Sequence, residues 1–174
     1  EVQSFDLKIK NKVITHKVGF LKPIEYLQYL CKHSNAYAEA MLYALDTTPS
    51  SPTTPWKIIL YQDGVDPGDG LTKEKSRHSA VFYWSLFELG MDALSHEEFW
   101  SPAAIIRTDI AKKIGLQEVS YRVAEMFHKA RDIFIQGVTL EMGLQQFRLF
   151  AHIQVLLADA PALAEMTGSK GHAG

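Results

Sequence analysis

The sequence predicts an α+β domain built on a mixed β-sheet with flanking helices. Two observations carry this prediction: short apolar runs rich in β-forming residues recur along the chain, and segments of helical periodicity separate them. A length of 174 residues, with 47% hydrophobic and 22% charged residues, is enough for one sizeable core. One domain with a small N-terminal appendage therefore fits the composition.

The N-terminal elements are predicted from two periodicities. Residues 5–14 alternate apolar and polar side chains, which is typical of a half-buried strand at a sheet edge. Pro23 suits the first turn of a helix, and helical spacing continues through residue 45, which predicts one long helix, with a break near Ser34 and Asn35 as the alternative. The next segment, 47–55, has three prolines among serines and threonines. It is predicted to link a strand–helix appendage, residues 1–46, to a domain that spans residues 56–174.

Four strands and two helices are predicted in this larger domain. Residues 56–61 form a nearly continuous apolar run, expected of a central strand covered on both faces. Residues 80–89, the most aromatic segment, are predicted to form a second strand antiparallel to the first. Residues 103–110 are predicted to form a third strand. A helix over 116–134 shows one apolar face, and residues 146–157 become apolar as a strand entering the centre of a sheet does. A short helix is predicted over 161–167.

Charge and cysteine content exclude several classes of protein. The formal net charge of −2 excludes a strongly basic nucleic-acid module of the histone kind, although a local basic patch remains compatible with it. The single cysteine, Cys31, excludes an internal disulfide framework and indicates a reducing compartment. Its side chain is expected to be buried as a small hydrophobic residue. Because no apolar run reaches about 18 residues and no signal peptide is visible, we expect a soluble protein without a membrane partner.

Two aspartates lie where predicted apolar strands end. Asp63 follows the run 56–61, and Asp159 follows the run 146–157. If these strands are neighbours, the carboxylates meet at the rim of the sheet, where their repulsion favours a shared cation such as Mg²⁺ or Mn²⁺. Such a pair suits metal-assisted phosphoryl transfer. Asp-Gly and Asp-x-Pro are also ordinary turn and capping sequences, so a purely structural role for each aspartate stays open.

The segments around both aspartates resemble a known family. Leu-Tyr-Gln-Asp-Gly-Val-Asp-Pro-Gly at 60–68, and Ala-Asp-Ala-Pro-Ala at 158–162 followed by Gly-His-Ala-Gly at 171–174, resemble the catalytic domain of CACTA-type (En/Spm-like) DNA transposases and their eukaryotic relatives. The resemblance covers residues 56–174. It implies an RNase H-like fold with Asp63 and Asp159 as catalytic, metal-binding carboxylates that use Mg²⁺ or Mn²⁺ for DNA strand cleavage and transfer. It also implies transposon-end DNA as partner, a homo-oligomer and a nuclear location.

The chain departs from this family pattern at its C-terminal end. A Cys-x-x-Cys pair and a third acidic residue, both expected further along in the family, are missing. We therefore expect the chain to be a fragment that alone binds metal poorly and does not cut DNA, and His172 to be a zinc ligand only together with such cysteines. A domesticated or decayed relative that binds DNA or protein without catalysis is the alternative. An unrelated α+β domain with two turn aspartates is a third possibility.

Several other polar residues have two interpretations each. A basic loop between the first two strands could contact DNA phosphates or be charged only because it is solvated; it contains Lys73, Lys75, Arg77 and His78. Asp66 and Asp69 are alternative metal ligands, or residues that orient the turn. Asp109 is expected to be a helix cap or a member of a surface ion pair.

Overall fold

The computed structural model describes residues 2–9, 12–65 and 78–157. In these ranges the strands are β1 (Val2–Ile9), β2 (Lys12–Phe20), β3 (Trp56–Val65), β4 (Ser79–Leu86), β5 (Ser101–Arg107), β6 (Val138–Met142), β7 (Gln145–Leu149) and β8 (Ala151–Leu157). The helices are α1 (Pro23–His33), α2 (Asn35–Thr47), α3 (Gly90–Leu94), α4 (Thr108–Ile114) and α5 (Leu116–Gln136). The predicted α+β class is confirmed.

Six of these strands form one mixed sheet in the order β1-β2-β5-β4-β3-β8. All neighbouring pairs are antiparallel except β3 and β8, which run parallel. A parallel pair needs a long crossover connection, and the chain between β5 and β8 supplies it with α4, α5 and the separate hairpin β6–β7. The predicted mixed sheet with flanking helices is therefore present.

The N-terminal segment contributes to this same sheet. Instead of one strand over 5–14 the chain forms the antiparallel hairpin β1–β2, in which Ile9 pairs with Lys12. Gly19 and Phe20 at the end of β2 then pair with β5. The long helix predicted up to residue 45 is instead two helices, broken at the alternative position: Ser34 separates α1 from α2, and its Oγ accepts a hydrogen bond from the Tyr37 amide at 3.3 Å. The division at 47–55 into appendage and domain stays a prediction.

One hydrophobic core joins one face of the sheet to the helices. The predicted helix over 116–134 is confirmed as α5, and its apolar face is buried in this core: Val119, Val123, Met126, Phe127, Ala130 and Phe134. Trp84 of β4 meets Phe127 edge to face, with ring centroids 5.5 Å apart. Leu27 of α1 and Met41 of α2 enter the same core. Among the described residues, no helix is both long and apolar enough to cross a membrane.

Two strands, β7 and β8, replace the single strand predicted over 146–157. Gly143, with a φ of 63°, turns the chain between β6 and β7, and Phe150 separates β7 from β8. The strand predicted over 103–110 ends at Arg107, because α4 begins at Thr108. The helix predicted over 161–167 lies outside the described residues.

Candidate functional site

The two strands that precede the aspartates are neighbours in the sheet. β3 and β8 run parallel, and after an irregularity between Ile58 and Ile59 their register ends with Tyr61 opposite Leu157. Asp63 is two residues beyond Tyr61 in the sequence, and Asp159 is two residues beyond Leu157. Asp159 itself lies outside the described residues.

Asp63 lies within β3, which extends to Val65 instead of ending at residue 61 as predicted. It pairs with Val81 of β4, and its side chain is exposed. The carboxylate Oδ1 accepts a hydrogen bond from the amide of Gly64 at 2.7 Å. Because side chains alternate along a strand, Asp63 shares its face with Tyr61, whereas Leu60 and Gln62 lie on the opposite, core-facing side, where both are buried.

Aromatic rings occupy the sheet face beside Asp63. Tyr61 and Tyr83 are cross-strand partners with ring centroids 6.3 Å apart and nearly parallel planes. The ring centroid of Trp100 lies 5.7 Å from that of Tyr61. All three side chains are half-buried. We call them the aromatic surface; sequence reasoning missed it, although the aromatic content of residues 80–89 was a signal for it.

One hydrogen bond attaches the segment before β5 to this face, and a second one fixes the Trp100 indole within that segment. The Ser85 hydroxyl donates to the carbonyl of Phe99 at 2.8 Å, and the Trp100 indole N–H donates to the carbonyl of Leu94 at 2.9 Å. The Trp100 ring therefore has a fixed position next to the tyrosines. Burial, followed by the negative charges of Asp63 and Glu97, raises the pKa of Tyr83. Tyr83 thus stays a neutral phenol beside two acidic side chains.

Among the metal ligands predicted from the sequence, Asp63 alone lies within the described residues. Nowhere in residues 2–9, 12–65 and 78–157 do three or more histidine, cysteine, aspartate or glutamate side chains come together as a metal-binding group. Asp63 offers an exposed carboxylate, which is the hard oxygen donor that Mg²⁺ and Mn²⁺ prefer. A complete site would need further oxygen ligands.

Most of the remaining sequence-predicted site residues lie outside the described residues: Asp66, Asp69, Lys73, Lys75, Arg77 and His172. His78 is half-buried just before β4, and its carbonyl accepts a hydrogen bond from the amide of Thr108 at 2.8 Å. The end of the predicted basic loop is therefore attached to the first residue of α4.

Asp109 and Cys31 are described as well: the ion pair, one of the two roles expected for Asp109, and the burial expected for Cys31 are confirmed. Asp109 forms an ion pair with Arg107, with Oδ1 and Nε 3.1 Å apart. Cys31 is buried in the core, and burial raises the pKa of its thiol to about 12. Since the thiolate is the reactive form of cysteine, Cys31 is inert at neutral pH.

Comparison with protein-family models, with curated proteins and with solved structures finds no match for this chain.

Proposed function

We propose that the chain is part of a transposase-like nuclease that cleaves and transfers DNA strands with the help of Mg²⁺ or Mn²⁺. The observation that carries the proposal is the parallel register of β3 and β8, in which Tyr61 lies opposite Leu157. An aspartate follows two residues later on each side, Asp63 and Asp159. If β8 keeps this register for two more residues, the two carboxylates are neighbours at one rim of the sheet.

The strand order gives the proposal a second support. β3, β4 and β5 are consecutive antiparallel neighbours, and the chain then passes through α5 before β8 pairs in parallel with β3. A mixed sheet with flanking helices is compatible with the RNase H-like fold that the transposase resemblance implies. Because β3 and β8 are parallel neighbours, their carboxyl ends lie at one edge of the sheet, which is where a pair of metal-binding carboxylates belongs in this proposal.

In this mechanism the protein contributes position and negative charge. Asp63 lies on β3, which pairs with β4 at Asp63 itself and with β8 as far as Tyr61, so the backbone that carries its carboxylate has a defined position. Asp159 is its proposed partner. Divalent ions held there would activate a water or a 3′-hydroxyl and stabilise the leaving oxygen. Transposon-end DNA as partner, a contact between phosphates and the loop 73–78, a homo-oligomer and a nuclear location belong to the same proposal.

A strand-nicking assay tests this function. The longer protein expected from the resemblance is incubated with supercoiled DNA and Mg²⁺ or Mn²⁺, and Asp63→Asn and Asp159→Asn are each expected to lower nicking by at least about a hundredfold. Asp132→Asn is the matched control, because Asp132 is an exposed carboxylate on α5. Nicking that both site variants retain in full would refute the proposal.

The alternative function is a DNA- or protein-binding module derived from a transposase and without catalysis. The hydrogen bond from Gly64 to Asp63 favours it, because an aspartate that bonds its own backbone has a sufficient structural role. The same assay separates the two functions. The alternative predicts that the unaltered protein does not nick DNA with either metal ion, whether its ligand is DNA or a protein.

A further inference from the structure

We infer that Tyr61, Tyr83 and Trp100 form a stacking surface for an unpaired base of the DNA strand that lies next to Asp63. The inference rests on the proposed function, since it takes DNA as the ligand. Beyond that function, it names the part of the DNA that this face would bind, an unpaired base, and the side chains that would hold the base in position.

The geometry of the aromatic surface suits a planar ligand. Tyr61 and Tyr83 have ring planes inclined by only 24°, with centroids 6.3 Å apart, so the two rings stack on each other across β3 and β4. The Trp100 ring is inclined by 58° to that of Tyr61, with the two centroids 5.7 Å apart. Half-buried rings keep part of their area accessible while the sheet fixes their positions. Clustered aromatic side chains on a sheet can bind bases, because every base has a π-face that stacks on an aromatic ring.

The charges around the aromatic surface favour a base over a phosphate. Asp63 and Glu97 are both exposed acidic residues, and both act electrostatically on Tyr83. A phosphate without a cation would be repelled here, whereas a base is neutral. A base stacked on this surface would bring its own phosphate towards Asp63, which is two residues from Tyr61 on the same face. There the divalent ion of the proposed function would offset the repulsion.

The hydrogen bonds of Trp100 fit this role as well. Its indole N–H already donates to the Leu94 carbonyl at 2.9 Å, so the ring contributes its face rather than its polar edge. Trp56 and Trp84, the other two tryptophans, are buried in the core. A collisional quencher such as acrylamide should therefore act mainly on Trp100, which makes its fluorescence a local probe of this surface.

The test compares two single strands of equal length and charge. Binding of a labelled oligothymidylate and of a strand with abasic sites in place of the bases is measured for this chain in the presence of Mg²⁺. Because phosphate contacts are the same for both strands, their affinity ratio isolates base stacking. We expect the base-bearing strand to bind at least about tenfold more tightly and to protect Trp100 from acrylamide.

Two variants of Tyr83 provide the matched pair. Tyr83→Phe keeps the ring and should keep the affinity ratio, whereas Tyr83→Leu should reduce it to about one. Thermal unfolding of both variants checks that each is folded. If Tyr83→Leu does not fold, the ratio and the Trp100 protection of the unaltered chain still decide. Equal affinities for the two strands, no binding of either strand, or a Tyr83→Leu variant with an unchanged ratio would each overturn the inference.

These outcomes are independent of strand cleavage. A clear base preference together with full nicking by Asp63→Asn would contradict the proposed metal role and leave the stacking surface in place. Loss of nicking in Asp63→Asn without any base preference would contradict the stacking surface alone.

Discussion

Gly115 and Gly137, which flank α5, share an almost identical backbone conformation. Gly115 has a φ of 92° and a ψ of 122°, and Gly137 has a φ of 93° and a ψ of 121°. A side chain strains both positions, because L-residues rarely adopt this region. Their surroundings differ: a Cβ at Gly115 would have open space, whereas one at Gly137 would lie 2.7 Å from Cγ of Arg148 and 2.9 Å from Cε1 of Phe150.

This pair separates backbone strain from steric exclusion. We expect Gly115→Ala to lower the free energy of unfolding by about 1–2 kcal/mol through strain. Gly137→Ala should lower it by at least about 1 kcal/mol more, since Arg148 and Phe150 must also move. Urea unfolding of the two variants measures the difference. Equal losses would mean that the contacts at Gly137 relax without cost.

At the scale of elements, sequence periodicity predicted the helices and strands whose pattern is set by neighbouring residues in the sequence. The helical spacing of Val119, Val123 and Phe127 correctly placed α5, and the apolar run from Trp56 correctly placed β3. The pairing of β2 with β5 and the hairpin β6–β7 were not predicted. Their register depends on partners distant in sequence, which a local pattern does not contain.

The candidate site shows the same limit. Asp63 was found from its position beside an apolar run, because that signal is local. The aromatic surface was not found, because Tyr61, Tyr83 and Trp100 come together only through the β3–β4 register and the segment before β5. Whether Asp159 completes the site stays a prediction.

The junction between β7 and β8 depends on a serine in the predicted linker. The Ser50 hydroxyl donates to the Phe150 carbonyl at 2.9 Å and accepts from the Phe150 amide at 2.7 Å. The same carbonyl accepts from the Trp56 amide at 2.8 Å. Ser50 therefore connects the entry of β3 to the entry of β8, the two strands that precede the aspartates.

Replacing this serine tests how much the junction contributes. Ser50→Ala should destabilise the fold by about 1–3 kcal/mol, because a half-buried amide loses its partner, and the Phe150 amide should exchange faster with solvent. Ser95→Ala is the control, since Ser95 is exposed and its hydroxyl bonds only the nearby Asp92 carbonyl. Its expected effect is below about 0.5 kcal/mol. An effect of Ser50→Ala no larger than that of the control would contradict this role.

At the scale of the whole molecule, one sheet joins the N-terminal hairpin to the candidate site. β1 and β2 extend the sheet on the β5 side, and β8 pairs with β3 on the other, so Asp63 lies on the penultimate strand of the described sheet. A net charge of −2 gives the chain no general attraction to DNA. The proposed binding to DNA would therefore depend on local features such as the aromatic surface.

The central claim is that Asp63 and Asp159 share a divalent ion. Paramagnetic broadening tests it directly, because bound Mn²⁺ broadens nearby amide signals even when its affinity is low. We predict that Mn²⁺ broadens the amide signal of Gly64, whose N–H donates to Asp63. Asp63→Asn and Asp159→Asn should each suppress this effect, and Asp132→Asn should preserve it. A Gly64 signal unaffected by Mn²⁺, or broadened as strongly in Asp159→Asn as in the unaltered chain, would contradict the claim.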